Sequence, residues 1–298
     1  MDSPRVFDTV SIIFNPNSTG DAPQLARELQ GQLDALLPVR TQIRLLETSH
    51  AGHAIELARD AAATGNALVV SVSGDGGYNE VVNGVMRSGN PDAVCAVLAA
   101  GNANDHSRVT GRKPLAEAIG EGAVRRMDLL RVSKADTPEA DAEYAHSYIG
   151  FGLTPVVAID LEKGSKGAMK EMLSVVRTFS RFKPFEILQE DGVRRKFDSL
   201  VFANISQMAK YATLSEADDY PSDGKFEVIA FPHMSKWRTL LAALRATTQG
   251  LGDQPSLAGY QFTTLKPIPY QIDGEVKSAT AHTDIRIESV PRVLATIA

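Results

Sequence analysis

Three glycines and one aspartate follow a short apolar run in the first half of the chain. Residues 68–72 read Leu-Val-Val-Ser-Val, which is typical of a strand buried on both faces of a parallel sheet. Gly74, Asp75, Gly76 and Gly77 follow after one serine. Backbone N–H groups in such a turn can approach an anion closely, and the carboxylate can reach the metal ion that accompanies it. The pattern predicts a phosphate site at the end of this strand.

A second polar loop supports this interpretation. Glycine-rich turns between a strand and a helix also occur in α/β proteins that bind nothing there. Here, however, residues 94–99 form another apolar run, and Gly101, Asn102, Asn104 and Asp105 follow it. Turns after successive parallel strands lie at the same edge of a sheet, where open α/β folds bind their ligands.

Four segments together resemble the motifs of the diacylglycerol kinase catalytic domain family, which includes sphingosine kinases and bacterial soluble lipid kinases. Residues 73–84, SGDGGYNEVVNG, are similar to the family's GGDGTxNEVVNG signature. Residues 101–108 resemble its GTxND loop, residues 15–20 its NPxSG opening and residues 273–275 its terminal DGE. The segments follow the family's order and span most of the chain. The resemblance therefore implies a lipid kinase.

The order of predicted elements agrees with the fold that this resemblance implies. Strands and helices alternate up to about residue 124, as in a parallel sheet, and short strands dominate afterwards, including two final ones at 284–287 and 292–297. The family has an α/β nucleotide domain, like that of NAD kinases, followed by a mostly antiparallel β-sandwich. We expect a nucleotide-binding domain at 1–125 and a lipid-substrate domain at 126–298, with the last strands able to return to the first domain.

Phosphoryl transfer needs positioning of the transferred group, neutralisation of the phosphate charge and an acceptor for the proton of the substrate hydroxyl. The resemblance implies transfer of the γ-phosphate of Mg-ATP to a lipid hydroxyl, with diacylglycerol giving phosphatidic acid. It assigns Glu275 as general base and Asp75 as ligand of the catalytic Mg²⁺. A structural Mg²⁺ would bind Asp223 and the carbonyls of Tyr220 and Lys225. The residues expected to contact the nucleotide are Asn15, Pro16, Asn17, Ser18, Thr48, Ser73, Gly74, Asp75, Gly76, Gly77, Glu80, Gly101, Asn102, Asn104 and Asp105.

Each motif also has a purely structural interpretation, and two other functions stay open. In that interpretation Thr48 and Asp105 would cap helices, and Asp273-Gly274-Glu275 would be a hairpin turn. Gly77 and Asn102 stand where the family has threonine, while Ser73 stands in place of its leading glycine. The alternatives are an NAD kinase-like phosphotransferase and a noncatalytic nucleotide- or lipid-binding protein.

The composition and charge of the chain limit the classes of partner that we expect it to bind. The 298 residues are 43% apolar and 22% charged, as in ordinary globular proteins, and the net charge of −5 argues against nucleic acid as the main partner. We found neither a membrane-spanning run nor a signal peptide, so we expect a cytoplasmic protein. Basic segments at 163–170 and 177–183 would allow transient binding to the inner membrane face. Cys95 is expected to be a buried small hydrophobe. The oligomeric state stays open, with a homodimer among the alternatives.

Overall fold

The computed structural model describes two compact units of the chain. One consists of Met1–Leu129 with Val290–Ala298, and the other of Leu130–Ser289. The described residues are 5–18, 21–101, 104–111, 113–135, 138, 142–152, 184–205, 207–208, 212–213, 221–233 and 254–297. Asn102, Tyr220 and the basic segments at 163–170 and 177–183 lie outside these residues.

The first unit alternates strands and helices, as predicted. Its elements are β1 (Thr9–Phe14), α1 (Ala22–Leu36), β2 (Gln42–Glu47), α2 (His53–Ala62), β3 (Ala67–Ser73), α3 (Asp75–Ser88), β4 (Val94–Ala99), α4 (Asp105–Thr110) and α5 (Leu115–Glu121). Strand β5 (Val124–Lys134) begins in this unit and ends in the second.

The sheet of the first unit is parallel. Its order is β2-β1-β3-β4, and residues 295–296 of the last strand pair in parallel with β4. The core side chains come from alternate positions of these strands and from the apolar stripe of α1, where Ala26, Leu29 and Leu33 are buried. Cys95 in β4 is fully buried, and burial raises the pKa of its thiol, so the expectation of a buried hydrophobe is confirmed. The sheet brings the loops after β1, β2, β3 and β4 to one edge.

The second unit is antiparallel and rich in strands. Its elements are β6 (Glu143–Ala145), β7 (Tyr148–Gly152), β8 (Phe185–Gln189), β9 (Arg194–Ala203), β10 (Gln207–Met208), β11 (Ala212–Thr213), β12 (Phe226–Pro232), β13 (Ser256–Leu257), β14 (Gly259–Thr264), β15 (Ile268–Ile272) and β16 (Glu275–Ala279). Strand β6 pairs antiparallel with β5. The fold class predicted from the sequence is confirmed.

The central strand β9 pairs antiparallel with β7, β8 and β12. Beyond β7 the order continues to β15 and β16, and beyond β8 it continues to β14 and to the first half of the last strand. Aromatic rings fill the core: Phe151 stacks on Tyr270, with centroids 5.2 Å apart, and meets Phe202 and Phe262 edge to face.

The end of the chain differs from the prediction. We expected separate strands at 284–287 and 292–297, but the structure has one strand, β17 (Asp284–Ile297). Arg292 adopts a positive φ of 49°, and its N–H donates to Asp128 Oδ1 at 2.6 Å. Strand β17 continues through Pro291, with residues 284–289 in the second unit and residues 290–297 in the first. Among the described helices, none combines the length and apolar character that crossing a membrane requires.

Candidate functional site

A cleft of about 370 Å³ lies in the first unit where the loops after β1, β2 and β3 meet. Six of the residues predicted to contact nucleotide line it: Asn15, Asn17, Thr48, Ser73, Gly77 and Glu80. Sequence reasoning missed Ser49, His50 and Ser71, which also line the cleft. Ser71 belongs to the apolar run of β3, and its polarity in that run was the available signal.

The loop after β1 is a compact turn. The N–H of Asn17 donates to Asn15 Oδ1 at 2.9 Å, and the N–H of Ser18 donates to the Asn15 carbonyl at 3.2 Å. Such a side-chain turn fixes the loop without a neighbouring segment. Thr48 joins it from the next strand, since its N–H donates to the Phe14 carbonyl at 2.9 Å. Thr48 thus lies beside the first loop. The helix-cap interpretation of Thr48 is wrong, because Gly52 precedes α2.

Helix α3 begins earlier than the sequence indicated. We expected residues 74–77 to form a turn, but Gly74 is the N-cap and Asp75, Gly76 and Gly77 form the first helical turn. The N–H of Tyr78 donates to the Gly74 carbonyl at 3.0 Å. Because a glycine cap has no side chain, no side-chain oxygen of the cap satisfies the first amides of the helix.

Asp75 connects the two glycine loops. Its carboxylate accepts N–H groups from Asp105 and His106, each at 3.2 Å, at the start of α4. Asp105 is fully buried and pairs with Arg108. The half-buried carboxylate of Asp75 is therefore oriented by the backbone of the second loop.

The glycines of the two loops touch each other. A Cβ on Gly101 would lie 2.4 Å from the Cα of Gly74, which real side chains do not tolerate. Asn104 closes the second loop on itself: its Oδ1 accepts the Gly101 N–H at 3.0 Å, and its Nδ2 donates to the Gly101 carbonyl at 2.6 Å. Asn104 adopts a positive φ of 52°, which asparagine tolerates better than most residues. Gly101, Asn104 and Asp105 do not line the cleft described above.

Ser73 occupies the space beside Gly77. A Cβ on Gly77 would lie 2.7 Å from both the Cβ and the Oγ of Ser73. The Ser73 hydroxyl donates to the Gly74 carbonyl at 2.9 Å and lies 2.7 Å from Ser71 Oγ. The resembled family has glycine at the position of Ser73 and threonine at the position of Gly77, whereas this chain has serine and glycine there. A hydroxyl therefore remains next to the cleft, but it comes from the strand side of the turn.

Glu80 binds the neighbouring helix as well as lining the cleft. Its Oε1 accepts the Gly52 N–H at 3.3 Å, at the turn before α2. Helices α2 and α3 pack closely there, since a Cβ on Gly84 would lie 2.4 Å from the Ile55 carbonyl oxygen. Glu80 thus fixes one wall of the cleft.

The terminal DGE segment lies in the second unit as a two-residue hairpin. Ile272 pairs with Glu275, and Asp273 and Gly274 between them both have positive φ, 46° and 94°. These values are typical of a type I′ turn, so the hairpin interpretation is confirmed. Glu275 is half-buried at the start of β16.

Asp273 fixes this turn from inside the protein. Its carboxylate is fully buried and accepts the N–H groups of His146, Ser147 and Tyr148 at 2.8, 3.0 and 2.9 Å. Its own N–H donates to the Tyr148 carbonyl at 3.1 Å. The buried imidazole of His146 lies 3.3 Å from Asp273 Oδ2 and 2.7 Å from Ser147 Oγ. Asp273 therefore positions the turn that carries Glu275.

The predicted structural metal site is described in part. Asp223 and Lys225 are exposed, and the Lys225 N–H donates to Asp223 Oδ1 at 3.0 Å, as in a plain turn. Glu227 lies two residues after Lys225, in β12. Burial raises the pKa of its carboxyl group, and the negative charge of Asp223 raises it further. Two carboxyl groups thus repel each other here, and a cation would relieve that repulsion. The Mg²⁺ site stays a prediction.

Comparison with known proteins finds a family similarity in the first half of the chain. Residues 9–132 match the family described as "Diacylglycerol kinase catalytic domain". This segment is therefore similar to the catalytic domains of that family. The resemblance inferred from the motifs is confirmed, and the motifs at 15–20, 73–84 and 101–108 all fall within the match.

Relatives and solved structures extend the likeness beyond the catalytic-domain match. Two proteins of Staphylococcus aureus, from strains MSSA476 and N315, are named "Putative lipid kinase". Each is 23% identical over 246 residues, covering 76% of this chain and 75% of the relative. A crystal structure from Bacillus anthracis str. Sterne, described as a diacylglycerol kinase, superposes with a TM-score of 0.71 at 18% identity. It covers 99% of this chain and 98% of that chain, so the two share a fold.

Proposed function

We propose that the protein is an ATP-dependent lipid kinase that transfers the γ-phosphate of Mg-ATP to the hydroxyl of diacylglycerol, giving phosphatidic acid. The observation that carries this proposal is the cleft of the first unit. It combines residues of the first loop, Thr48 and the glycine-capped start of α3 within a segment similar to diacylglycerol kinase catalytic domains. The names of the Staphylococcus aureus relatives support the lipid as acceptor.

The residues present suit a metal-bound nucleotide. The first turn of α3 has no side-chain cap, and an anion bound at such a helix end accepts its amide N–H groups. Gly74 and Gly101 allow a close backbone approach at that point. Asp75 would hold Mg²⁺, which when bound neutralises phosphate charge. Asn15 and Asn17 would donate from the first loop.

Glu275 would accept the proton of the lipid hydroxyl. A general base must be held in place before the substrate arrives, and Asp273 supplies that restraint through three backbone amides. Glu275 itself is half-buried, which leaves part of its side chain accessible. In this proposal Asp273 acts through Glu275 and does not contact the reacting atoms.

The test is transfer of labelled γ-phosphate from ATP to a panel of lipid alcohols in mixed micelles. We expect a labelled lipid with the wild type and a loss of roughly 10²–10⁴-fold in kcat for E275Q, with nucleotide affinity nearly unchanged. D75A should abolish Mg-ATP-dependent transfer. E190Q, an exposed glutamate of the same unit, is the matched control and should behave as the wild type.

Each alternative predicts a different outcome. Full turnover by E275Q would show that the general-base assignment is wrong. Labelled NADP from NAD, with no labelled lipid, would favour the NAD kinase-like alternative. ATP binding without any product would favour a noncatalytic binding protein.

A further inference from the structure

Two histidines and one glutamate form a cluster at the start of α2. His50, His53 and Glu56 are spaced three residues apart, so their side chains follow one another along the turn before the helix and its first turn. Gly52 has φ +80°, and the His53 N–H donates to the His50 carbonyl at 3.2 Å, which folds His50 back onto the helix. One possible ligand atom from each side chain lies within 4.8 Å of the other two.

The two imidazole rings are held by their Nδ1 atoms. His50 Nδ1 lies 3.0 Å from the Ala51 carbonyl oxygen, which can only accept, so this nitrogen carries the proton. His53 Nδ1 accepts the Ser49 N–H at 3.1 Å and lies 3.0 Å from Ser49 Oγ. Nε2 is therefore the lone-pair nitrogen of His50, whereas His53 uses the lone pair of Nδ1 for the Ser49 N–H and would offer a lone pair to a metal only after its ring rotates away from Ser49. Histidines that bind metals almost always donate their other N–H to a protein oxygen, as His50 does to the Ala51 carbonyl.

We propose that His50, His53 and Glu56 bind a divalent transition-metal ion of the zinc class. Imidazole nitrogen selects zinc-class ions, whereas Mg²⁺ prefers an all-oxygen shell, so this site differs chemically from the one assigned to Asp75. The ring centroids are 4.7 Å apart and the planes are 19° from parallel. With Zn–N bonds near 2.1 Å, tetrahedral ligands lie about 3.4 Å apart, so binding requires rotation of these largely exposed side chains.

The site would lie at the wall of the cleft, because His50 also lines it. Three protein ligands leave a tetrahedral ion one open position. Zinc binding does not depend on the proposed kinase reaction, so it is measured on the protein without nucleotide or lipid.

The experiment titrates tag-free, chelator-treated protein with Zn²⁺ by calorimetry, and with Co²⁺ by visible absorption. We expect one ion per chain. H50A and H53A should each weaken binding by at least about 10-fold, since even an outer partner of a metal ligand contributes that much. E56Q should weaken it as well. H282N changes an exposed histidine outside the cluster and should bind like the wild type, and millimolar Mg²⁺ should not displace Zn²⁺.

Several results would overturn the proposal. These are no binding by the wild type, equal affinity in wild type, H50A and E56Q, or displacement by Mg²⁺. His50 and Glu56 are exposed, so their variants decide the question even if H53A lowers stability.

Discussion

Replacing Gly77 with alanine tests whether Ser73 and Gly77 share one volume. The new Cβ would lie 2.7 Å from both the Cβ and the Oγ of Ser73. A hydroxyl can rotate away, but the Ser73 Cβ is fixed to the backbone of β3 and can move only with the strand. We therefore expect G77A to be destabilising in the wild type, although alanine is the better helix former.

The magnitude follows from two opposing terms. Alanine in place of glycine stabilises a helix by about 0.8–1 kcal/mol, whereas overpacking a filled space costs about 1–3 kcal/mol. G77A should then lower the free energy of unfolding by up to about 2 kcal/mol. In an S73G background the obstructing Cβ is gone, and G77A should instead raise the free energy of unfolding by up to about 1 kcal/mol.

The assay is urea unfolding of wild type, S73G, G77A and S73G/G77A, followed by far-UV circular dichroism. The control is G31A within α1, where a Cβ meets no heavy atom within 4 Å. It should stabilise the protein by up to about 1 kcal/mol in both backgrounds.

The coupling between the two sites is the deciding quantity. We expect it to be about 1–3 kcal/mol. If G77A changes the free energy of unfolding equally, within about 0.5 kcal/mol, with and without S73G, the two side chains do not compete. The threonine of the family motif obeys the same reasoning: G77T alone should be unstable, and S73G/G77T should recover.

Three further predictions concern buried groups. D273N should lower the free energy of unfolding by about 1–3 kcal/mol, because an amide cannot accept all three N–H groups, although asparagine suits the turn. It should also reduce kcat more than it changes the KM for nucleotide. An unchanged urea midpoint would contradict this prediction. Because the pKa of Glu227 is raised, its ionised form is disfavoured in the folded state, so the margin by which the Tm of E227Q exceeds that of wild type should grow as the pH rises above about 4. A constant difference would refute the assignment. Cys95 should react with a thiol reagent only after unfolding by urea, and rapid labelling of the native protein would disprove its burial.

Strands β1 and β3 were predictable because burial on both faces imposes apolar runs. The start of α3 was not, since glycine is a poor helix former and three of its first residues suggested a turn. In the structure Gly74 lies against Gly101, and Gly77 lies against Ser73, with no room for a Cβ at either contact. These close contacts outweigh the low helix propensity of glycine. The continuity of β17 was not predictable either, because the bond beside Pro291, from the Arg292 N–H to Asp128 Oδ1, joins residues 164 positions apart.

The candidate site was predictable as a set of loops but not as a set of contacts. The order of strands places the loops after β1, β2 and β3 together, and any parallel sheet of this kind would do so. The donors to Asp273 come from residues 146–148, more than a hundred residues away, and no local pattern links them. No local pattern links Gly52 to Glu80 either, since the Gly52 N–H donates to a side chain 28 residues further along the chain.

Two aspartates of the motifs differ in what they can still bind. Both accept backbone amides from a distant segment: Asp75 from Asp105 and His106, and Asp273 from residues 146–148. Asp75 is half-buried and accepts two N–H groups at 3.2 Å, whereas Asp273 is fully buried and accepts three at 3.0 Å or less. Because Asp75 is only half-buried, a cation can reach it from solvent, whereas the fully buried Asp273 is closed to one. It follows that D75N should alter the Mg²⁺ dependence of nucleotide binding, while D273N should leave that dependence intact.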